Sequence, residues 1–195
     1  MIDLETLSTH NDAAIVAIGV AVFNPEQKVI DMGSWPILRG AWHGHIDPGT
    51  IEWWLSQSKE AQQATFGPDG RVWPFQAATE LLALWRRYEC KTVWANDPHF
   101  DFVILENWWR REPLIQTISR PTGLPHWPFQ YNQPRSYRTI REIAGKMGWT
   151  DEMNGAARGM YVSHNAVEDA CAQARAVVAM EKFILNGGLK HTVRL

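Results

Sequence analysis

The segment Ile2-Asp3-Leu4-Glu5-Thr6 sets two carboxylates into an apolar stretch with the alternation of a β-strand. Alternate side chains of a strand share one face, about 6.5 Å apart. Asp3 and Glu5 therefore point at one spot, and a cation or a shared proton relieves the repulsion. Asp101 follows Asn96-Asp97-Pro98-His99-Phe100, where Asp97 reads as a helix N-cap and Pro98 as the first helical residue. It then shares a face with Ile104, Leu105 and Trp108, so it leads an apolar stripe toward a sheet. Asp169 lies in the first turn of a helix capped by Asn165, with Glu168 placed for a capping-box-like contact. Ala172, Ala176, Met180 and Phe183 continue its face, whereas Glu168, Arg175, Lys182 and Asn186 define a narrow solvent face. A buried carboxylate without a partner costs several kcal/mol. With no Arg or Lys on that stripe, a metal is the expected partner, and His164 stands beside it, just before the helix.

Four acids from three separated segments, with one histidine, suit hard divalent cations and a phosphodiester. Mg²⁺ binds through few carboxylates and keeps positions open for phosphate oxygens. Two such ions about 3.5–4 Å apart clamp the attacking and leaving oxygens of an in-line displacement. A neutral imidazole can take the proton of the attacking water. Zinc would want cysteines or several histidines at fixed spacing, and His43 and His45 have no visible partner set.

These side chains need a framework. The Ile2–Thr6 segment, the apolar run 14–23 and the extended candidate 29–38 read as a three-strand antiparallel meander, with a turn at Asn24-Pro25-Glu26-Gln27. Thr50 reads as the N-cap of a helix carrying Trp53 and Trp54; Ile51, Trp54, Leu55 and Ser58 share one face, Trp54 being core and Trp53, on the opposite side, either accessible or packed under the proline-rich loop. Further helices are expected at 75–88, 98–111, 137–147 and 166–186, the last stopped by Gly187-Gly188, and a short buried strand at 92–95. Residues 117–135, with Pro121, Pro125, Pro128 and Pro134, form a long loop that hides a short strand at 129–132. Strands first and alternating helices afterwards imply an α/β fold, a mixed sheet flanked by helices.

The chain has 195 residues and reads as one domain, 1–195, with ordinary globular composition. A net charge of −2 argues against a basic nucleic-acid coat protein but not against an enzyme that meets phosphate through bound cations. Cys90 and Cys171 are too few for a disulfide framework, and no run is apolar enough to span a bilayer, so a cytoplasmic setting without membrane contact is expected. Eleven tryptophans are unusual for this length; most are expected in the core, and their number raises the question of whether some stack on bases.

Asp3-x-Glu5, Asn96-x-x-x-Phe100-Asp101 and His164-x-x-x-x-Asp169, in this order and at these intervals, resemble the three motifs of the DEDDh 3′–5′ exonucleases. Asp47-Pro48-Gly49-Thr50-Ile51-x-Trp53-Trp54, followed by Gln57, is similar to the phage DexA-type and exodeoxyribonuclease VIII-like branch of that superfamily. The resemblance covers nearly the whole chain. It implies a ribonuclease-H-like fold and two Mg²⁺ or Mn²⁺ ions. Asp3 would bridge both ions, Glu5 and Asp169 would complete the first site, Asp101 would join through water, and His164 would be the general base. Nucleoside 5′-monophosphates would leave from the 3′ end of a single strand, with DNA favoured slightly over RNA, and the chain could act as a homodimer. Thr6, Leu7, Trp53, Asn96 and Phe100 would meet the terminal nucleotide, although Thr6-Leu7-Ser8 stands where many relatives carry Thr-Thr-Gly. A catalytically inactive binding module would normally show a substituted acid, and none of the four is substituted. Internal cutting, as by ribonuclease H, is disfavoured by His164 and by the lack of a broad basic ridge. A metal-free scaffold whose indoles hold a protein partner would show no Mg²⁺-dependent thermal shift.

Overall fold

Strands β1 (Ile2–Thr6), β2 (Ile15–Asn24), β3 (Lys28–Pro36), β4 (Val93–Ala95) and β5 (Pro134–Ser136) form one sheet in the order β3-β2-β1-β4-β5. The first three are the antiparallel meander, β4 runs parallel to β1, and β5 parallel to β4. The structure is a computed structural model that describes residues 1–26, 28–113, 115–116 and 127–187. Its helices are α1 (Pro48–Ser56), α2 (Lys59–Phe66), α3 (Pro74–Arg87), α4 (Pro98–Arg111), α5 (Tyr137–Lys146), α6 (Asp151–Arg158) and α7 (Ala166–Leu185). The architecture is that of a ribonuclease-H-like α/β fold, a mixed sheet with helices on both faces.

Strand parity divides the core. Ile2, Leu4, Ile18 and Val20 pack with Leu81 of α3 and Ile104, Leu105 and Trp108 of α4. On the other side Met1 and Ala21 meet Tyr137 and Ala144 of α5 and Ala170, Val177 and Met180 of α7. Asp3 and Glu5, odd-numbered like Met1, belong to the α7 face. Asp3 pairs with Gly19 of β2, and a Cβ on Gly19 would lie only 2.0 Å from the backbone carbon of Ala166. The missing side chain lets the first residues of α7 press onto the sheet directly beside Asp3. The pairing of β1 with β2 slips after Glu5, which faces Ala17 while Thr6 faces Ile15, so the strand is re-aimed at the point where its second acid leaves the sheet.

Several local expectations change. The N-cap of α1 is Asp47, not Thr50: its carboxylate accepts the Thr50 N–H at 2.7 Å, and Pro48 is the first helical residue. Trp54 is core, but Leu55, although read on the same face, is 72% exposed in the last turn of α1. Glu168 does not close a capping box with Asn165; its carboxylate accepts the Val162 N–H at 2.6 Å. The strand expected at 129–132 forms instead as β5, Pro134–Ser136. Helices α2 and α6 were not anticipated. Gly187 ends the last helix with φ 84°, whereas Gly188 and residues 117–126 of the proline-rich segment lie outside the described residues.

Candidate active site

Three segments converge at the β1 end next to β4. Asp3 and Glu5 come from β1, Asp101 from the first turn of α4, and Asp169 from the first turn of α7. All four, with Leu4, Asn96, Asp97, Phe100, Tyr137, Arg138, Arg158, His164 and Gln173, line a cavity of about 420 Å³. Asp97 holds the start of α4 by accepting the His99 N–H at 3.0 Å, and the Asp101 carboxylate in turn accepts the Asp97 N–H at 3.3 Å. Asn165 caps α7. Asp169 is oriented from both sides: Oδ2 accepts the His164 backbone N–H at 2.7 Å and Oδ1 accepts from Arg158 at 3.2 Å. Asp3 Oδ1 accepts from Gln173 Nε2 at 2.9 Å.

One oxygen each from Asp3, Glu5 and Asp169 lies within 4.8 Å of the others, a ligand triad for an ion. Glu5 is 6% exposed, and its Oε1 is buried with no hydrogen-bond partner among the described residues. Such an orphan is costly unless a cation completes it. An all-oxygen donor set with one unpaired carboxylate oxygen fits a hard divalent ion. His43 and His45 take no part: His43 Nδ1 lies 3.1 Å from Glu112, and His45 stacks on His10 and bonds Ser8.

The electrostatics agree with that fit. Loss of solvation, and then the charges of Asp101, Glu5 and Asp169, hold the Asp3 carboxyl well above the usual carboxylate range. Burial, reinforced by Asp169 and Asp101, pushes Glu5 up to about 8. Burial also raises Asp101 to about 7, against backbone hydrogen bonds from Asp97 and Leu4 that favour its charged form. Asp169 is raised by burial too, with the His164 N–H and the Arg158 charge pulling the other way. Burial and mutual repulsion thus oppose full ionisation of the cluster, and an added positive charge would favour it.

His164 adopts φ 62°, a left-handed conformation that turns the chain just before α7. Its carbonyl accepts from Thr65 of α2 at 3.0 Å. Its ring meets Trp53 edge-to-face at 4.9 Å and Trp54 at 6.1 Å, so α1 walls the imidazole. Trp53 is 43% exposed, while Trp54 is buried and donates to the Thr6 carbonyl at 2.9 Å. Asn96 and Phe100 line the cavity. Thr6 and Leu7 do not line it: both are buried, Thr6 Oγ1 donating to the Ser8 carbonyl and Leu7 packing with Ala14, Val16 and Trp54.

Sequence reasoning missed Gln173, Arg158, Arg138 and Tyr137. Gln173 stands one turn after Asp169 and could have been found as a polar residue on an apolar stripe. No Arg or Lys lies on Asp169's own stripe, as read from the sequence, but Arg158 of α6 reaches it from a separate helix, so a metal is not its sole available partner.

A ribonuclease-H-like sheet with four acids and a histidine around one cavity defines a nuclease of that fold. The family described as the 3′–5′ exoribonuclease Rv2179c-like domain matches residues 1–180, and the chain belongs to that family. It is a hydrolase of the 3′–5′ exonuclease class. An exodeoxyribonuclease of Enterobacteria phage T4 is similar, 25% identical over an alignment 202 residues long that takes in 89% of this chain and 84% of the phage protein. No solved structure matches the chain.

Proposed function

We propose that the protein removes nucleoside 5′-monophosphates one at a time from the 3′ end of single-stranded nucleic acid, with two divalent cations, Mg²⁺ or Mn²⁺, at the carboxylate cluster. The observation that carries this is the convergence of Asp3, Glu5 and Asp169 within 4.8 Å, with Asp101 in the same cavity and His164 at its edge. Asp3, Glu5 and Asp169 would hold the cations, and Asp101 would join through water. Bound there, divalent ions would neutralise the cluster and polarise the scissile phosphate. His164 accepts the proton of the attacking water on a ring nitrogen, its ring kept in place by Trp53 and Trp54. Asp169 fixes the His164 backbone, so the base and a metal ligand move as one unit. Phe100 offers a face to the terminal base, Asn96 a hydrogen-bonding group beside it, and the exposed part of Trp53 a second stacking surface.

RNA is the proposed substrate, supported by the family description, which applies to residues 1–180. DNA is the second reading, supported by the phage exodeoxyribonuclease. Among the described residues no helix is long and apolar enough to cross a membrane, and Cys90 and Cys171 are free thiols, in keeping with a cytoplasmic enzyme. Timed digestion of matched RNA and DNA strands, labelled at either end, tests the proposal. A 3′ label should leave at once as mononucleotide, a 5′ label should appear in a shortening ladder, and RNA should be consumed first. Early release of the 5′ label, or large internal fragments, would overturn the reading.

A further inference from the structure

Arg158 is a cation inside the cavity that the proposed chemistry does not use. It lines the cavity, and its Nη2 donates to Asp169 Oδ1 at 3.2 Å, so a proposed metal ligand already carries a counter-ion. The side chain is only 22% exposed. Its guanidinium lies over the Tyr161 ring at 4.6 Å, and its Nε is buried with no acceptor among the described residues.

The backbone beneath it is clamped. Arg175 of α7 donates Nε and Nη2 to the Arg158 carbonyl at 2.9 and 2.7 Å. Gly159 follows with φ 74° and ends α6. Five residues later the His164 N–H takes the other oxygen of Asp169, so both ends of the 158–164 segment are tied to one carboxylate. A guanidinium presents a planar fork that matches two phosphate oxygens, and this one keeps a donor unspent. Arg138, the other arginine at the cavity, is 66% exposed and paired with Asp97 at 3.3 Å. A polyanion entering a space lined by Asp3, Glu5, Asp97, Asp101 and Asp169 needs a cation placed deep within it.

We propose that Arg158 is an exchangeable counter-cation: it neutralises Asp169 before a metal binds, and donates to a phosphate of the substrate strand once metal and nucleic acid are in place. This rests on the exonuclease reading above. It assigns Arg158 opposite effects on two ligands, since its charge opposes a metal beside Asp169 and favours a phosphate in the same cavity.

Arg158→Gln and Arg158→Lys test the assignment, with Mn²⁺ affinity measured by calorimetry on the nucleic-acid-free protein and KM followed against salt. Arg158→Gln should bind Mn²⁺ several-fold more tightly than wild type, and should raise KM about 10-fold or more with a smaller change in kcat. The salt slope of substrate affinity should fall by about 0.7, as for one lost phosphate contact to a single strand, and Arg158→Lys should recover that slope. Weaker Mn²⁺ binding together with a lower Tm in both variants would make Arg158 a prop for Asp169 and overturn the proposal. So would an Arg158→Gln variant with the Mn²⁺ affinity and KM of a wild type that binds metal and cleaves. A wild type that neither binds Mn²⁺ nor cleaves would remove the exonuclease reading itself, and this proposal with it.

Discussion

Replacing Glu5 by glutamine should stabilise the metal-free protein, and by an amount that depends on pH. Glu5 is buried, one of its oxygens has no partner, and its pKa rises from 4.5 to about 8. The folded pKa lies above the unfolded one, so folding binds a proton. Metal-free stability is then fully present below pH 4.5 and is lost as pH rises toward about 8. Glutamine imitates the protonated acid and does not titrate. The variant should exceed wild type by about 4 kcal/mol at pH 8 and by under about 1 kcal/mol at pH 5, from about 1.4 kcal/mol per pKa unit. In a chain of this size the larger figure is a Tm increase of about 10 °C. Thermal melts in EDTA at the two pH values read the effect directly. With Mg²⁺ the order should reverse, because the ion stabilises the wild-type carboxylates and the variant has lost a ligand. A variant less stable than wild type in EDTA at pH 8, or a gap independent of pH, would refute the claim that Glu5 is a strained, cation-seeking carboxylate.

Asp3→Ala should abolish cleavage while metal-free stability holds or rises, and Mg²⁺ should raise its Tm far less than that of wild type; wild-type turnover in this variant would end the two-metal reading. His164→Ala should lower kcat by about 10²–10⁴-fold with metal affinity nearly unchanged and a flattened acidic limb in the pH–rate profile, checked by single-turnover kinetics across pH. Trp53→Ala, which removes a half-exposed ring that stands at the edge of His164 and is proposed to stack on the terminal base, should raise KM and lower kcat, each several-fold, at unchanged Tm. A large loss of Tm with normal KM would instead make Trp53 a core residue. Gly19→Ala should lower Tm and remove the Mg²⁺-dependent shift, since its Cβ would meet the Ala166 backbone at 2.0 Å and push Asp169 away from Asp3.

The acids were legible because two periodicities make them so. Parity along β1 puts Asp3 and Glu5 on one face, and helical spacing sets Asp101 and Asp169 on apolar stripes. The Asp-Pro signature was read correctly at Asp97-Pro98 and missed at Asp47-Pro48, where Thr50 looked like the cap although it only donates to one. Helices α2 and α6 are eight residues each and mostly polar, too short for a periodic signal to stand out. β5 is three residues beginning with proline, and it exists because β4 offers an edge, a tertiary cause invisible in local sequence. The Arg158–Asp169 pair was hidden for a related reason. The two residues stand on different helices, and only the packing of α6 against α7 brings them together. Thr6 and Leu7 look like substrate contacts by adjacency to Glu5, yet the slip in β1 pairing and the Trp54 indole turn them into the core.

Under the proposed function Asp3, Glu5 and Asp169 hold a catalytic divalent cation. Anomalous diffraction from Mn²⁺-soaked crystals tests it most directly. A peak should sit among these carboxylates, about 2.0–2.3 Å from their oxygens, and should vanish in Asp3→Ala crystals. An enzyme that cleaves in Mn²⁺ but shows no peak there, or whose ion lies instead at His10 and His45, would contradict the account.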